Sequence, residues 1–270
     1  MEALNKVAVI IPFYRDLITD LEEIALQQCQ KVLGNYHKIA IKPQSLALPQ
    51  KAQQAVVFNQ VVSFANPYFD GIRGYNSLML SDVFYKAFLD YDYILIYQLD
   101  AFVFKDELMH WCSLGFDYIG APWLRRKGYQ LKLKEKAYQF MFDMHTRFNV
   151  KKNGVPTDKQ FYNKVGNGGL SLRRVKKFYA LSIKLKPIAD DYLKHTDDKH
   201  NEDVFWSIEV NRSIKRLKIP GYKTAVKFSI ELEPARAFAL NEGRLPFGCH
   251  AWDLYTDFWR PEFKVQGYHI

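Results

Sequence analysis

The sequence predicts an α/β fold in which a mostly parallel central sheet carries helices on both faces. Continuous apolar runs at residues 7–11 and 93–97 are typical of strands that are covered on both sides. A helical pattern follows the first run from about Asp16 to Gly34, and another begins at Gly74 before the second run. Because strands alternate with helices along the chain, parallel strands joined by helical crossovers are expected.

Further elements follow from local patterns. Residues 38–41 and 61–64 predict two more strands, and residues 165–172 predict a glycine-rich turn that leads into a short strand. Residues 203–217 have a helical pattern, whereas the aromatic tail at 244–260 is expected to be loop-like. Residues 124–164 interrupt the α/β pattern, and either a helical excursion or a lid would fit this variable insertion. We expect a single domain over residues 1–270.

Composition narrows the class of protein. Hydrophobic residues make up 48% and charged residues 25% of the 270, which suits a soluble globular chain. No apolar run reaches the length of a membrane span, and the first residues lack the pattern of a signal peptide. The three cysteines are scattered, without metal-binding spacing, so we expect reduced thiols and a cytoplasmic location.

The net charge of +9 allows a partner of negative charge, although an ordinary solvated surface would account for many of the basic residues. Such an excess attracts phosphates, an anionic membrane surface or nucleic acid. No nucleic-acid-binding module accompanies the basic residues, so we do not expect nucleic acid. Basic clusters within residues 124–177 would instead allow peripheral contact with the inner face of a membrane.

Two predicted strands end in polar residues. Pro12, Tyr14 and Arg15 follow the first apolar run, and Gln98 and Asp100 follow the run at 93–97. In open parallel sheets, ligands bind outside the carboxyl ends of the strands. An aromatic ring and a guanidinium could hold a base and a phosphate there, and a carboxylate could hold a divalent cation. Ordinary turns are the alternative at both places.

A glycine-rich segment at residues 166–169 is more specific. Glycines on both sides of Asn167 allow positive φ and let the backbone approach a ligand closely, although an Asn-Gly hairpin turn is a competing interpretation. Neither GxxxxGK[ST] nor GxGxxG occurs, which argues against a P-loop enzyme and a dinucleotide-dependent dehydrogenase.

Acids and a late histidine complete the set of candidate residues. Glu202 and Asp203 begin an apolar-periodic helix, where they could cap the helix or supply a general base. His250 lies among small and aromatic residues and could donate a nitrogen to the same metal as Asp100.

In this order, the motifs resemble GT-A glycosyltransferases, and more closely a little-characterised family of bacterial glycosyltransferase-like domains. The match runs through residues 93–100, 117–123, 165–173, 202–205 and 247–252. The resemblance implies a GT-A fold and a hexosyltransferase that moves a sugar from a nucleoside diphosphate sugar, UDP-sugar favoured, to a glycan or lipid-linked hydroxyl acceptor in surface polysaccharide synthesis. It also implies Mn²⁺ or Mg²⁺ as cofactor.

The resemblance implies a role for each candidate residue. Asp203 would be the catalytic base of an inverting transfer, with Glu202 as the alternative, although a retaining mechanism uses the same fold. The donor would meet Pro12, Tyr14, Arg15, Asn76, Gln98 and Asp100, the sugar or acceptor would meet Trp123, Asn167, Gly168 and Gly169, and Asp100 and His250 would hold the metal.

One departure from the family pattern concerns the metal. Gln98 stands where the DxD motif has its first acid, so the motif supplies a single carboxylate. Metal binding could then be weaker, or basic residues could replace it. A non-catalytic carbohydrate- or nucleotide-sugar-binding protein and a sugar-nucleotide pyrophosphorylase are the alternative functions. A pyrophosphorylase should carry a glycine-rich basic signature just after the first strand, and residues 12–15 of this chain are not one.

Overall fold

The computed structural model describes residues 6–125 and 132–270. Its strands are β1 (Val7–Pro12), β2 (His37–Pro43), β3 (Gln60–Phe64), β4 (Tyr93–Tyr97), β5 (Phe102–Val103), β6 (Tyr118–Ile119), β7 (Pro122–Trp123), β8 (Lys151–Lys152), β9 (Val155–Pro156), β10 (Lys164–Val165), β11 (Leu170–Arg174), β12 (Ser229–Ile230) and β13 (Gly248–Cys249). Its α-helices are α1 (Asp20–Leu33), α2 (Gln50–Ala55), α3 (Gly71–Leu80), α4 (Asp82–Lys86), α5 (Leu108–Ser113), α6 (Lys132–Arg147), α7 (Val175–Lys184), α8 (Lys186–Tyr192), α9 (Glu202–Ser207), α10 (Tyr222–Phe228), α11 (Pro234–Leu240) and α12 (Thr256–Gln266).

A six-stranded sheet forms the centre of a mixed α/β domain, in the order β3-β2-β1-β4-β11-β6. The pairs β3/β2, β2/β1 and β1/β4 are parallel, whereas β11 is antiparallel to both β4 and β6. The predicted fold class, with its mostly parallel sheet, is therefore confirmed.

Both faces of the sheet are covered, as the continuous apolar runs predict. All six residues of β1 are buried, and successive side chains enter opposite layers. Val9 and Ile11 pack in one cluster with residues of α1, α2 and α10, whereas Ala8 and Ile10 pack in the other with residues of α3, α4 and α7. A smaller third cluster, which includes Phe102, joins β5 and β13 to α11 and α12.

Helix α1 begins later than its periodicity suggested, because a capping box sets its start. The Thr19 hydroxyl accepts a hydrogen bond from the Glu22 amide at 3.2 Å, and the Glu22 carboxylate accepts one from the Thr19 amide at 2.7 Å. These two hydrogen bonds therefore place the start of the helix at Asp20. The end of the helix before Gly34 agrees with the prediction.

Two predictions of secondary structure were wrong. The helix expected at 203–217 is only α9 followed by a short 3-10 turn at Glu209–Asn211, because the Asn211 side chain accepts the amides of Arg216 and Leu217 and fixes an irregular loop. The tail expected to be loop-like contains β13 and the first five residues of α12.

The insertion between β7 and β10 is helical over α6 and continues as a β8–β9 hairpin; residues 126–131 of the predicted insertion lie outside the described residues. Within the described chain, no helix has both the length and the apolar character of a membrane span.

Candidate functional site

A cavity of about 490 Å³ opens at the carboxyl edge of the sheet, where β1 and β4 end. Helix α3, the N-terminus of α9, the glycine-rich segment and the turn after β13 supply the rest of its wall. Nine residues predicted from the sequence line it: Tyr14, Asn76, Gln98, Asn167, Gly168, Gly169, Glu202, Asp203 and His250.

Four predicted residues lie outside this wall. Pro12 is the buried last residue of β1, and the Arg15 guanidinium lies 2.7 Å from the Glu22 carboxylate near the start of α1. Trp123 packs edge-on against Phe161, with the far edge of its indole against Gly166. Asp100 is not part of the wall, but its carboxylate contacts His250, which is.

His250 is the centre of a polar cluster at one end of the cavity. Its Nε2 lies 3.0 Å from Asp100 Oδ1 and 3.1 Å from Gln98 Oε1, and its Nδ1 lies 3.6 Å from Glu231 Oε1. Burial alone lowers the pKa of His250, but the carboxylates of Asp100 and Glu231 outweigh burial and raise it to about 10. For Asp100, burial raises the pKa, but His250 more than offsets this effect, so the net shift is downward.

The donor atoms of this cluster fit a divalent cation. Two ligands at right angles, each about 2.1 Å from a metal, lie about 3 Å apart, which is the spacing of His250 Nε2 from the two oxygens. Glu231 lies 3.6 Å from the far nitrogen, beyond hydrogen-bond distance, so its carboxylate acts on the ring through charge. A cation would replace the proton on Nε2, so metal and proton compete for this ring.

Asp203 stands on the wall of the same cavity, at the first turn of α9. One of its oxygens, Oδ1, accepts a hydrogen bond from the Val204 amide at 2.7 Å. Burial, together with the neighbouring carboxylates of Glu202 and Glu231, raises the pKa of Asp203 well above the usual value for an aspartate. A carboxylate of raised pKa in a cavity is a good proton acceptor once it is ionised.

Glu202 is engaged differently, in a buried ion pair. Arg173 donates from Nη2 to Glu202 Oε1 at 2.9 Å and from Nη1 to Oε2 at 3.1 Å, and both side chains are almost fully buried. Nη1 also donates to the Tyr85 hydroxyl at 3.0 Å. The two hydrogen bonds from Arg173 neutralise Glu202 and hold the N-terminus of α9 against β11. Of the two neighbouring acids, only Asp203 therefore has no basic partner among the described residues.

The glycine-rich segment permits close packing rather than an unusual backbone. Gly166, Gly168 and Gly169 all have φ outside the left-handed region, so the positive φ that glycine allows is not used here. A methyl group on Gly168 would lie 2.5 Å from Glu202 Oε1, and one on Gly169 would overlap the imidazole of His250. Asn167 Oδ1 accepts the Gly169 amide at 3.0 Å and holds the turn.

Gly169→Ala should therefore lower the free energy of unfolding by about 1–3 kcal/mol, because the buried His250 ring must shift to admit the methyl group. Chemical denaturation of the two purified proteins measures this difference. Gly221→Ala is the matched control, since a methyl group there has open space; because Gly221 caps α10, it should still cost up to about 1 kcal/mol but less than Gly169→Ala. Equal effects of the two substitutions would contradict the steric argument.

Tyr75 had no sequence signal of its own, and the contacts of Asn76 and Asn201 could not be predicted from their motifs. Tyr75 lies edge-on to Tyr14 with ring centroids 5.7 Å apart, and burial raises its pKa to about 12. Asn201 accepts a hydrogen bond from Asn76 at 2.9 Å, and Asn76 in turn accepts the Glu202 amide at 3.1 Å. Asn76, expected to contact the donor, thus also positions the start of α9.

A second group of metal-ligating side chains lies just before α9, at His195, Asp197 and His200. The Asp197 carboxylate accepts from His200 Nδ1 at 2.8 Å and from the Lys199 amide at 3.1 Å, and the two imidazoles stack 3.9 Å apart. Capping of a 3-10 turn and ring stacking account for this arrangement.

The chain belongs to the family described as "Protein of unknown function (DUF5672)", whose model matches residues 59–250. No curated protein matches it in sequence.

Its fold is that of GT-A glycosyltransferases. Galactosyltransferase LgtC, solved with donor and acceptor sugar analogs, has a TM-score of 0.52 at 12% identity, over 90% of this chain and 86% of its own. An active-site mutant of LgtC has a TM-score of 0.52 at 14% identity, over the same shares of the two chains. Core-mannan synthase A of Aspergillus fumigatus, in a Mn/GDP form, has a TM-score of 0.50 at 11% identity, over 81% of this chain and 73% of its own.

Proposed function

We propose that this member of the DUF5672 family is a glycosyltransferase that moves a sugar from a nucleoside diphosphate sugar to a hydroxyl acceptor. One observation carries the proposal: a single cavity has, on its wall, both an unneutralised carboxylate of raised pKa at Asp203 and the imidazole of a metal-ligand cluster at His250. A sugar-binding protein without catalysis needs neither group, and the GT-A fold supports their joint use.

The donor diphosphate would lie against the cluster of Gln98, Asp100 and His250. A bound Mn²⁺ or Mg²⁺ would neutralise the diphosphate and stabilise it as a leaving group. Asp100 contributes the anionic oxygen, and Glu231 adds negative charge on the other side of the His250 ring. The aromatic pair of Tyr14 and Tyr75 offers a stacking surface for the base of the donor, for which we favour uracil.

Asp203 would act as the general base in an inverting transfer. Oδ1 is occupied by the Val204 amide, so we assign the proton of the acceptor hydroxyl to Oδ2. As the acceptor oxygen bonds to the anomeric carbon, the bond from that carbon to the diphosphate breaks on the opposite side. Because Gly168 and Gly169 have no side chains, they leave space in the part of the cavity where the sugar and the acceptor would meet.

The acceptor that we favour is a growing surface glycan on a lipid carrier, met by a cytoplasmic enzyme at the inner face of the membrane. The net charge of +9 supports an anionic partner of this kind. Trp123, outside the cavity wall but against the glycine-rich segment, could contribute to the acceptor side.

A panel of UDP-, GDP-, CMP- and dTDP-sugars with and without Mn²⁺ tests the donor. A true donor at a hundredfold excess over its Kd should stabilise the fold by about 2.7 kcal/mol, read as a rise in Tm. We expect the largest shift with a UDP-sugar and Mn²⁺, and its Mn²⁺-dependent part should vanish in His250→Ala. Stabilisation by every sugar nucleotide without turnover would favour a binding protein, and no stabilisation at all would contradict the proposal.

A further inference from the structure

An exposed apolar stripe runs along α6 and just past its end. Phe140 and Phe148 are each 67% exposed and Met144 is 37% exposed, at intervals of four residues. Four residues are about one turn of helix, so the three side chains share one face. Phe142, on the other side of the helix, is buried against the body of the protein. Helix α6 therefore has one apolar face for the core and a second that faces outward.

Basic side chains border this stripe. Lys136 and Arg147 lie within about 40° of Phe140 around the helix axis, and Lys151 and Lys152 are exposed on the neighbouring hairpin. Residues 132–164 contain eight basic and three acidic side chains. The acids are engaged by partners: Glu135 by Tyr222 at 2.7 Å, Asp143 by Lys164 at 2.6 Å and Asp158 by Lys199 at 2.6 Å.

A basic cavity of about 740 Å³ adjoins the stripe on the Met141 side of α6. Arg125, Lys152, Lys159 and Lys199 contribute to its wall, together with a single acid, Asp158. Such a cavity has the charge and the size for a phosphate headgroup. Apolar side chains rimmed by basic groups are what an interfacial helix needs in order to bind an anionic bilayer.

We propose that α6 and the β8–β9 hairpin form a docking surface for an anionic lipid bilayer, with Phe140, Met144 and Phe148 inserted between headgroups. Strand β10 connects this surface directly to the glycine-rich segment of the cavity. Docking would then hold the cavity beside the membrane. That this position serves a lipid-linked acceptor rests on the proposed function, whereas the docking itself does not.

Cosedimentation of the protein with vesicles tests the surface. Vesicles of phosphatidylglycerol and phosphatidylcholine should bind the protein, and pure phosphatidylcholine vesicles should bind it at least about tenfold more weakly. The double substitution Phe140→Ser/Phe148→Ser should reduce binding to the anionic vesicles by about tenfold or more, because it removes the inserted rings. Lys151→Glu/Lys152→Glu should have a similar effect and should also weaken the dependence on salt.

Matched controls assign the effect to this surface. Lys176→Glu/Lys177→Glu makes the same change of charge at exposed positions of α7, and Leu254→Ser/Val265→Ser removes two other exposed apolar side chains. Both controls should bind like the unaltered protein. Equal losses in the controls, or equal binding to neutral and anionic vesicles, would overturn the docking surface. Donor stabilisation is measured separately without vesicles, so failure of docking and failure of the proposed function remain distinguishable.

Discussion

Asp203→Asn should lower the turnover of sugar transfer by about 10²–10⁴-fold, the usual contribution of a positioned general base. The amide keeps the size of the side chain and an oxygen for the Val204 amide, but it cannot accept the proton of an acceptor hydroxyl. The donor cluster around His250 is untouched, so the stabilisation by donor and Mn²⁺ should persist. Release of nucleoside diphosphate in the presence of acceptor measures turnover.

The pH dependence of activity and of stability should also reflect Asp203. Burial and the carboxylates of Glu202 and Glu231 raise the pKa of Asp203, so activity should increase as pH rises through that raised value. A raised pKa in the folded state means that ionisation of Asp203 costs stability, a cost that appears as pH rises through the folded pKa. The asparagine variant avoids this cost. Its Tm at neutral pH should therefore not fall, and lost activity cannot be assigned to unfolding.

Asp198→Asn is the control for this substitution, because it makes the same chemical change at an exposed position five residues earlier. It should retain full turnover. Undiminished transfer by Asp203→Asn would exclude the base role, and a product with retained anomeric configuration, determined by NMR, would exclude the inverting mechanism.

The sequence predicted the parts of this site that lie at the ends of buried strands. The apolar runs that became β1 and β4 are long, and both are covered by helices, so their direction and their carboxyl ends followed from general rules. Gln98 and Asp100 follow β4 at that edge for this reason. Arg15 was expected there on the same grounds, but its guanidinium pairs with Glu22 of the capping box instead.

Contacts between distant segments account for most of what the sequence could not predict. Glu231 follows β12 and meets His250 only because β12 and β13 pair in parallel. The pairing of Arg173 with Glu202 joins β11 to α9 across 29 positions, and basic clusters near residue 173 gave no indication that one member would be buried. Local patterns do not contain such pairings, because the tertiary fold creates them.

Arg173→Met should be the most destabilising substitution at the site, with a loss of about 3–5 kcal/mol in the free energy of unfolding. The methionine leaves the Glu202 carboxylate buried without its positive partner, and it also removes a donor from the Tyr85 hydroxyl. Urea denaturation measures the loss. Lys186→Met breaks an exposed pair with Asp190 and should cost less than about 0.5 kcal/mol.

A second substitution separates the charge of Glu202 from the packing of Arg173. If the cost arises from a buried unpaired carboxylate, then Arg173→Met/Glu202→Gln should recover most of the stability that Arg173→Met loses, since a neutral amide is far easier to bury. A double variant no more stable than Arg173→Met alone would show that the guanidinium acts mainly through Tyr85 and its contacts with the rings of Tyr118 and Phe178. Recovery of stability without recovery of activity would mean that the pair also holds α9, and with it Asp203, in position for catalysis.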